Sequence, residues 1–273
     1  MTAFLKMHGL GNDFVVFDAR NQALALDPDA ARVVADRKRG IGCDQVIVIE
    51  PARNGADAFM RIFNSDGSQV ESCGNAARCV ARLLMDETQA DTIRIETDGG
   101  LLACVASGDL VTVDIGSPRF DWRDIPMARE TDTKSFALDV PGFDEPALKT
   151  ASAVNVGNPH CVLFVADAEK APVAALGAAI EHHPLFPQRT NVEFVSVLGP
   201  DRLRMRVWER GVGITQACGT GACATIAAAQ RRGLCGTEVE IVLDGGTLTL
   251  RRDGGSIFMK GPSAFSYRGD IDL

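Results

Sequence analysis

Two cysteines stand at equivalent places in this chain and could carry acid–base chemistry. Cys73 and Cys218 are each followed by glycine and then by apolar residues at helical spacing. A cysteine at a helix N-terminus lies beside unpaired backbone N–H groups, which favour the thiolate and can lower its pKa from about 8.5 toward neutrality. The same N–H groups can bind a carboxylate, because a glycine lets an anion approach the backbone closely. Each cysteine is therefore predicted to be a reactive thiol beside an anion site.

Both cysteines belong to an internal repeat. Residues 61–77 align without a gap on residues 206–222, which places Cys73 on Cys218. Further matches keep the same order along both halves: Gly11-Asn12 with Gly157-Asn158, Gln45 with Asn191, and Asp98-Gly99-Gly100 with Asp244-Gly245-Gly246. The sequence therefore predicts two similar domains, joined near residues 115–120 where Gly116-Ser117-Pro118 breaks the pattern.

Local patterns predict the same elements in both halves. Short β-branched runs such as VVFD, QVIVIE and IRIET, or VEFVSV and TLTL, are typical of strands, and the Asp-Gly-Gly triplets are typical of hairpin turns. One helix is expected after each aligned cysteine, and the second, from Cys218 to Arg232, is apolar almost all round and should be buried. The predicted fold is α+β, with two pseudo-symmetric domains, each a strand-rich sheet or barrel wrapped around a central helix.

Composition excludes several classes of protein. With 273 residues, 46% of them hydrophobic, the chain has globular composition. The balance of 28 basic and 36 acidic residues, without a run of like charges, argues against a nucleic-acid or polybasic membrane surface. The absence of a signal peptide and of a long apolar run predicts a cytoplasmic protein. The eight cysteines form no Cys-x-x-Cys pair, so no metal site is expected.

If the two halves face each other, the paired thiols have the geometry of a two-base racemase. One thiolate would remove an α-proton, N–H donors would hold the enediolate-like charge, and the opposite thiol would return a proton to the other face. No lysine lies inside the duplicated cysteine blocks, which disfavours a pyridoxal Schiff base. The remaining cysteines are interpreted as structural: Cys43, Cys79, Cys104, Cys161, Cys223 and Cys235.

Polar residues also recur at matched positions. An asparagine that follows glycine is often only a turn residue. Several matched polar residues near two thiols are harder to explain in that way, and they are candidates for substrate binding: Asn12 with Asn158, Gln45 with Asn191, and Asn64 with Glu209.

Several motifs along nearly the whole chain resemble the cofactor-independent diaminopimelate epimerases. They are KMHGLGNDF (6–14), GIGCDQ (40–45), FNSDGS (63–68), CGNAARC (73–79), GNPHC (157–161), ERG (209–211) and ACGTGAC (217–223). The resemblance implies epimerisation of LL-2,6-diaminopimelate to the meso form, in lysine and peptidoglycan precursor biosynthesis, with no cofactor. It also implies a C-terminal tail that returns to the first domain, so the domains are expected at 1–117 with 263–273 and at 118–262. A homodimer is compatible with this sequence.

The resemblance also implies a role for each site residue. Cys218 would be the proton acceptor and Cys73 the donor in the LL to meso direction, and His160 and Glu209 would tune the thiols. The reacting carboxylate would be held by backbone N–H groups of Gly74, Asn75, Gly219 and Thr220. The amino groups and the distal carboxylate would be bound by Asn12, Gln45, Asn64, Asn158, Asn191, Glu209 and Arg210.

Three residues depart from the family pattern. Ala76 stands where glycine is common, and Cys43 stands where a small or aromatic residue is usual. Ile214 replaces an expected glutamate four residues before Cys218, which puts in doubt any role of that carboxylate near the thiol.

Alternative functions remain open from the sequence. A proline or hydroxyproline racemase would share the fold and the thiols, but such enzymes typically carry Cys-Gly-His where this chain has Cys73-Gly74-Asn75. A fold relative that isomerises with other residues would not need both cysteines. A thiol redox sensor would not need two carboxylate sites.

Overall fold

The computed structural model describes residues 1–143, 145–253 and 255–273. The chain divides into two compact units. Unit 1 consists of Met1–Asp114 with Lys260–Leu273, and unit 2 consists of Ile115–Met259. No helix in the described part of the chain is long and apolar enough to cross a membrane.

The elements up to residue 116 belong almost wholly to unit 1. In chain order they are β1 (Thr2–Gly9), β2 (Asn12–Asp18), α1 (Pro28–Ala35), β3 (Gln45–Glu50), β4 (Ala58–Asn64), β5 (Gln69–Val70), α2 (Gly74–Thr88), β6 (Thr92–Thr97), β7 (Gly100–Ser107) and β8 (Leu110–Gly116).

The remaining elements form unit 2 and then complete unit 1. They are β9 (Phe136–Ala137), a short 3-10 helix (Pro146–Lys149), β10 (Thr150–Asn155), β11 (Pro159–Phe164), α3 (Val173–Glu181), β12 (Asn191–Gly199), β13 (Arg202–Glu209), β14 (Gly213–Ile214), α4 (Gly219–Arg231), β15 (Glu238–Leu243), β16 (Gly246–Asp253), β17 (Ser256–Pro262) and β18 (Ala264–Ile271).

The two units repeat the same order of elements and the same strand pairings. In unit 1, β2 is parallel to β3 and β4 is parallel to β6, while β1–β2, β3–β4 and β6–β7 are antiparallel. Unit 2 has the corresponding parallel pairs β11–β12 and β13–β15, and the antiparallel pairs β10–β11, β12–β13 and β15–β16. The α+β fold with an internal duplication is therefore confirmed.

The predicted Asp-Gly-Gly turns close equivalent hairpins. Gly100 pairs with Thr97 and Gly246 pairs with Leu243, so two residues connect the strands in each case. The backbone φ angles of these glycines are 120° and 140°, a region in which side chains with a Cβ are strained. The turn chemistry thus explains why glycine occupies both positions.

A largely buried helix follows each aligned cysteine. Helix α2 begins after Cys73 and ends where Gln89 adopts a left-handed φ of 59°, and it packs on β1, β6 and β7. Helix α4 begins after Cys218 and packs on β10, β11, β12, β13 and β16. Most residues of α4 from Gly219 to Ala229 are buried, which agrees with its small, apolar sequence. These contacts confirm the prediction of strands arranged around a central helix in each half.

Candidate active site

Both predicted thiols are N-cap residues. Cys73 and Cys218 have extended backbones, and each sulfur accepts a hydrogen bond from the backbone nitrogen three residues later. These bonds are 3.5 Å long from Ala76 and 3.3 Å long from Gly221. The first N–H groups of an α-helix have no acceptor within the helix, so each sulfur satisfies one of them. The same local geometry therefore occurs in both units.

The second residue of each helix contacts the repeat-matched asparagine. In unit 1, the Asn75 side chain donates to Asn12 Oδ1 at 3.1 Å. In unit 2, the Asn158 side chain donates to Thr220 Oγ1 at 3.4 Å. Each unit thus brings together the thiol, the helix N-terminus and one of the asparagines singled out in the sequence.

An ion network holds Asn12 in unit 1. The Asn12 amide donates to Asp44 at 3.0 Å, and Asp44 pairs with Arg37 at 2.7 Å. Arg37 also pairs with Asp13 at 2.7 Å, and the buried Lys6 pairs with Asp13 at 2.5 Å. Burial would raise the pKa of the Asp13 carboxyl, but hydrogen bonds from Arg37 and Lys6 together with their charges lower it to about 2. The Asp13 carboxyl is therefore ionised at neutral pH.

Gln45 and Asn64 lie in register on adjacent strands. The Gln45 side chain donates to Asn64 Oδ1 at 3.0 Å, and the Asn64 amide donates to Ser68 Oγ at 3.1 Å. Gln45 Oε1 is buried and has no hydrogen-bond partner among the described residues. An acceptor of this kind is available to a donor that a ligand would bring.

Asn191, which matches Gln45 in the repeat, forms its side-chain hydrogen bonds with backbone atoms. Its side chain donates to the Pro159 carbonyl at 3.0 Å and accepts from the Arg210 backbone nitrogen at 2.9 Å. Asn191 is buried, whereas the Arg210 side chain is exposed and donates to the Gln188 carbonyl at 3.3 Å. Asn191 therefore fixes the backbone that presents Arg210.

His160 lies in a buried polar cluster that includes a residue missed by sequence reasoning. Its Nδ1 atom lies 2.7 Å from Glu193 Oε1, and its Nε2 atom lies 2.7 Å from Asn158 Oδ1. The side chains of His160 and Glu193 have no exposed surface. The one sequence signal for Glu193 was the only charged residue in the mostly apolar strand VEFVSV.

Glu209 is the second carboxyl group near Cys218. It is hydrogen-bonded to Thr215 and to the Cys218 thiol. Burial raises the pKa of Glu209, and the two hydrogen bonds act in the opposite direction. Ile214, where the resemblance led us to expect glutamate, is about half exposed and pairs with Trp208 across adjacent strands. The acids that influence the pKa of Cys218 are therefore Glu209 and Glu193.

The Cys218 thiol does not have the lowered pKa that its helix position suggested. Burial raises the pKa of Cys218 well above its ordinary value, and the nearby charges of Glu209 and Glu193 raise it further. Hydrogen bonds from Thr220 and Gly221 oppose this shift but do not reverse it. The expectation of a lowered pKa is thus wrong for this cysteine, because it counted the helix terminus and omitted burial.

The other two departures from the family pattern are easily accommodated. Ala76 is buried in the first turn of α2 with helical backbone, so glycine is not required there. Burial raises the pKa of Cys43 to about 11, which agrees with a structural role. Burial likewise raises the pKa of four further thiols: Cys79, Cys104, Cys161 and Cys235. The described residues contain no group of three or more His, Cys, Asp or Glu side chains that could hold a metal ion.

Solved structures define the class to which this fold belongs. A PhzF-family phenazine biosynthesis protein from Enterococcus faecalis matches with a TM-score of 0.71 at 14% identity, over 100% of this chain and 99% of that chain. A hydroxyproline epimerase from Agrobacterium vitis matches with a TM-score of 0.69 at 18% identity, over 98% of this chain and 91% of that chain. The protein thus has the duplicated fold shared by PhzF-family proteins and hydroxyproline epimerases.

Sequence comparisons identify the family within this class. The family described as "Diaminopimelate epimerase" matches residues 4–120 and 152–266. A diaminopimelate epimerase from Rhodospirillum centenum is 53% identical over 98% of this chain and 91% of its own length. One from Acidiphilium cryptum is 51% identical over 98% of this chain and 96% of its own length. The chain belongs to the diaminopimelate epimerase family.

Proposed function

We propose that this protein is an isomerase that epimerises LL-2,6-diaminopimelate to meso-diaminopimelate without pyridoxal phosphate, in lysine and peptidoglycan precursor biosynthesis. Family membership and full-length relatives of that name support the activity. The observation that carries the chemistry is the repeat-matched pair of thiols, Cys73 and Cys218, each at the start of a helix.

The proposed mechanism uses one thiol on each face of the reacting carbon. In the LL to meso direction the Cys218 thiolate takes the α-proton and becomes a thiol, and the Cys73 thiol gives a proton to the opposite face and becomes a thiolate. The N–H groups of Gly74, Asn75, Gly219 and Thr220 hold the charge that develops on the carboxylate. A high pKa makes the Cys218 thiolate, once formed, a stronger base toward a weakly acidic α-proton.

The proposed binding residues suit a substrate with two amino acid heads. The buried Oε1 of Gln45 can accept from a substrate ammonium, and the exposed guanidinium of Arg210 can pair with the distal carboxylate. The other proposed contacts are Asn12, Asn64, Asn158, Asn191 and Glu209, while His160 and Glu209 tune the thiol chemistry.

Domain limits and location are also part of this proposal. We place the halves at 1–117 with 263–273 and at 118–262, each boundary three residues from that of the compact units. A cytoplasmic location is part of the same proposal. The proposed partner is a small-molecule substrate, with no nucleic acid or membrane, and a homodimer is compatible with this function.

The test is isotope incorporation by the purified protein with no added cofactor. LL-diaminopimelate in deuterated water should give labelled meso product at early times, while the recovered LL substrate stays unlabelled, because each thiol serves one face. Equal early labelling of both pools would show that one base serves both faces. No conversion of LL-diaminopimelate would refute the activity itself.

Variants assign the two thiols. Cys73→Ala and Cys218→Ala should each abolish epimerisation, because each removes one of two obligatory proton carriers. Cys235→Ala is the matched control, since Cys235 follows α4 and lies outside the proposed site. Full activity in either Cys73→Ala or Cys218→Ala would contradict the two-thiol mechanism.

A further inference from the structure

Glu193 is a buried carboxyl group that the proposed mechanism does not use. Its side chain is fully buried on β12, its Oε1 atom lies 2.7 Å from His160 Nδ1, and its Oε2 atom has no hydrogen-bond partner among the described residues. Burying an acid with one oxygen unsatisfied is unfavourable unless its interaction with a partner compensates. The His160 ring is the partner on which this acid acts.

The hydrogen bonds of His160 indicate where its ring carries hydrogen. Asn158 Oδ1 can only accept, so His160 Nε2, which lies 2.7 Å away, must carry a hydrogen. Between His160 Nδ1 and Glu193 Oε1 there is then room for one proton, because two would collide and none would leave two acceptors facing each other. That one proton is shared between His160 and Glu193.

This pair is connected to the thiol by a chain of contacts through Asn158 and Thr220. Asn158 donates to Thr220, whose Oγ1 atom lies 3.5 Å from the Cys218 sulfur. Glu193 and Cys218 also lie against the same glycine: a Cβ atom at Gly221 would be 2.9 Å from Glu193 Oε1 and 3.3 Å from the Cys218 sulfur. A change at Glu193 can therefore reach the thiol through His160 and Asn158 and across the first turn of α4.

Unit 1 holds its matching asparagine in another way. Asn12 is held by Asp44, which pairs with Arg37 at 2.7 Å. Asn158 is fixed by the ring of His160, whose orientation depends on a proton shared with Glu193. The titratable groups facing this pair from the packed elements are Cys161, Glu209 and Cys218.

We propose that Glu193 is a positioning residue for the epimerisation, which acts through His160 by fixing the orientation of the ring and the proton on Nε2, and thereby holds Asn158 beside the Cys218 thiol. This inference rests on the proposed function.

The test compares two substitutions of similar size. In Glu193→Gln the amide can donate to His160 Nδ1, so the Nε2–H tautomer and the ring orientation are kept. In Glu193→Leu the volume is filled but Nδ1 loses its partner. We expect kcat/KM of the Gln variant within about threefold of wild type, and a loss of about 30-fold or more in the Leu variant, mainly in kcat, because small displacements of reacting groups can cost up to about 100-fold.

Nitrogen NMR of the histidine rings gives a readout that does not depend on activity. The chain has four histidines, and the His160 signal is assigned by its loss in His160→Gln. Wild type and Glu193→Gln should both keep a hydrogen on Nε2 from pH 6 to 8, whereas Glu193→Leu should give a mixture of tautomers. Ser196→Ala is the control. Ser196 is a buried polar residue of the same strand, and its hydroxyl accepts a hydrogen bond from the Ala168 backbone nitrogen. The substitution should therefore lower the stability of the protein and leave the His160 signal unchanged.

Two results would overturn the inference. One is a Glu193→Leu variant with wild-type kcat/KM and an unchanged His160 tautomer. The other is a Glu193→Gln variant that is as impaired as the Leu variant, because fixing the ring would then not be the role of the residue. If the wild type does not epimerise LL-diaminopimelate at all, the proposed function fails, whereas the NMR comparison still decides whether Glu193 sets the state of His160.

Discussion

The sulfur of Cys218 accepts a hydrogen bond from the backbone nitrogen of Gly221 at 3.3 Å. A helix N-terminus stabilises a negative charge by about 0.3 to 2 kcal/mol, which corresponds to no more than about 1.5 pKa units. Full burial of an ionisable group can shift its pKa by about 3 to 5 units in the direction of the neutral form. Burial therefore outweighs the helix terminus, and the pKa of Cys218 is raised rather than lowered.

Replacing Glu209 by glutamine should lower the pKa of Cys218. The carboxylate of Glu209 raises the thiol pKa, so a neutral amide should move the rise in alkylation rate of Cys218 to lower pH. The measurement is peptide-resolved alkylation by iodoacetamide between pH 6 and 11. Cys235 serves as the internal control, because burial alone raises its pKa to about 11 and its profile should not move. A Cys218 profile that is unchanged or moves to higher pH would refute this prediction.

Adding a methyl group at Gly221 should impair the reaction. The new Cβ would lie 2.9 Å from Glu193 Oε1 and 3.3 Å from the Cys218 sulfur, so one of them must move. We expect kcat/KM of Gly221→Ala to fall by about tenfold to 100-fold, since positioning errors of this size are costly. Gly236→Ala is the matched control, because its nearest contact would be an ordinary 3.7 Å. Equal activity of the two variants would contradict the close approach described for Gly221.

The charge network around Asp13 should contribute stability that depends on pH. The folded-state pKa of Asp13 is about 2, below its ordinary value of 3.8, so its contribution is present above pH 4 and is lost as the pH falls toward 2. After allowance for partial exposure, Asp13→Asn should lower the free energy of unfolding by about 1 to 2 kcal/mol at pH 7.

Urea denaturation at pH 7 and at pH 2.5 measures this effect. The difference between wild type and Asp13→Asn should shrink at the lower pH. The control is Asp29→Asn, because the Asp29 side chain is 82% exposed and its pairing with Arg32 should be worth little. A difference for Asp13→Asn that is constant with pH would show that its charge is not the cause.

Arg210 should decide the choice of substrate. Diaminopimelate has a second carboxylate that a guanidinium can bind with two parallel hydrogen bonds, and lysine at this position can offer only a point charge. Arg210→Lys should lower kcat/KM for LL-diaminopimelate by about tenfold or more, without improving turnover of L-lysine or L-proline. The exposed Arg202→Lys is the control. Proline turnover comparable to that of diaminopimelate in the wild type would favour a proline racemase instead.

The sequence could predict those features that depend on neighbouring residues. The helices after Cys73 and Cys218 follow from a capping residue and an apolar pattern within about 15 positions, and the hairpins at Gly100 and Gly246 follow from two-residue turns. The duplication strengthened these predictions, since each local pattern occurred twice.

Features that depend on strand register could not be predicted in this way. Glu193 meets His160, 33 residues earlier, because β11 and β12 pair in parallel with His160 opposite Asn191. Likewise, the pKa of Cys218 depends on burial and on acids from two other strands. Asn191 matches Gln45 by position, but its amide is bonded to backbone at Pro159 and Arg210, a difference that only the folded contacts reveal.

Because β1 pairs with β18, unit 1 can complete its fold only after the C-terminal strand has been synthesised. Leu5 lies opposite Arg268, so β1 leaves the ribosome 263 residues before its partner strand. At about 5 to 20 residues per second, the nascent chain keeps one edge of β1 open for roughly 13 to 50 s. Unit 2 is continuous in the chain and can fold during this interval. Translation that stops before residue 264 should therefore release a polypeptide with a folded second half and an open, aggregation-prone strand edge in the half that carries Cys73.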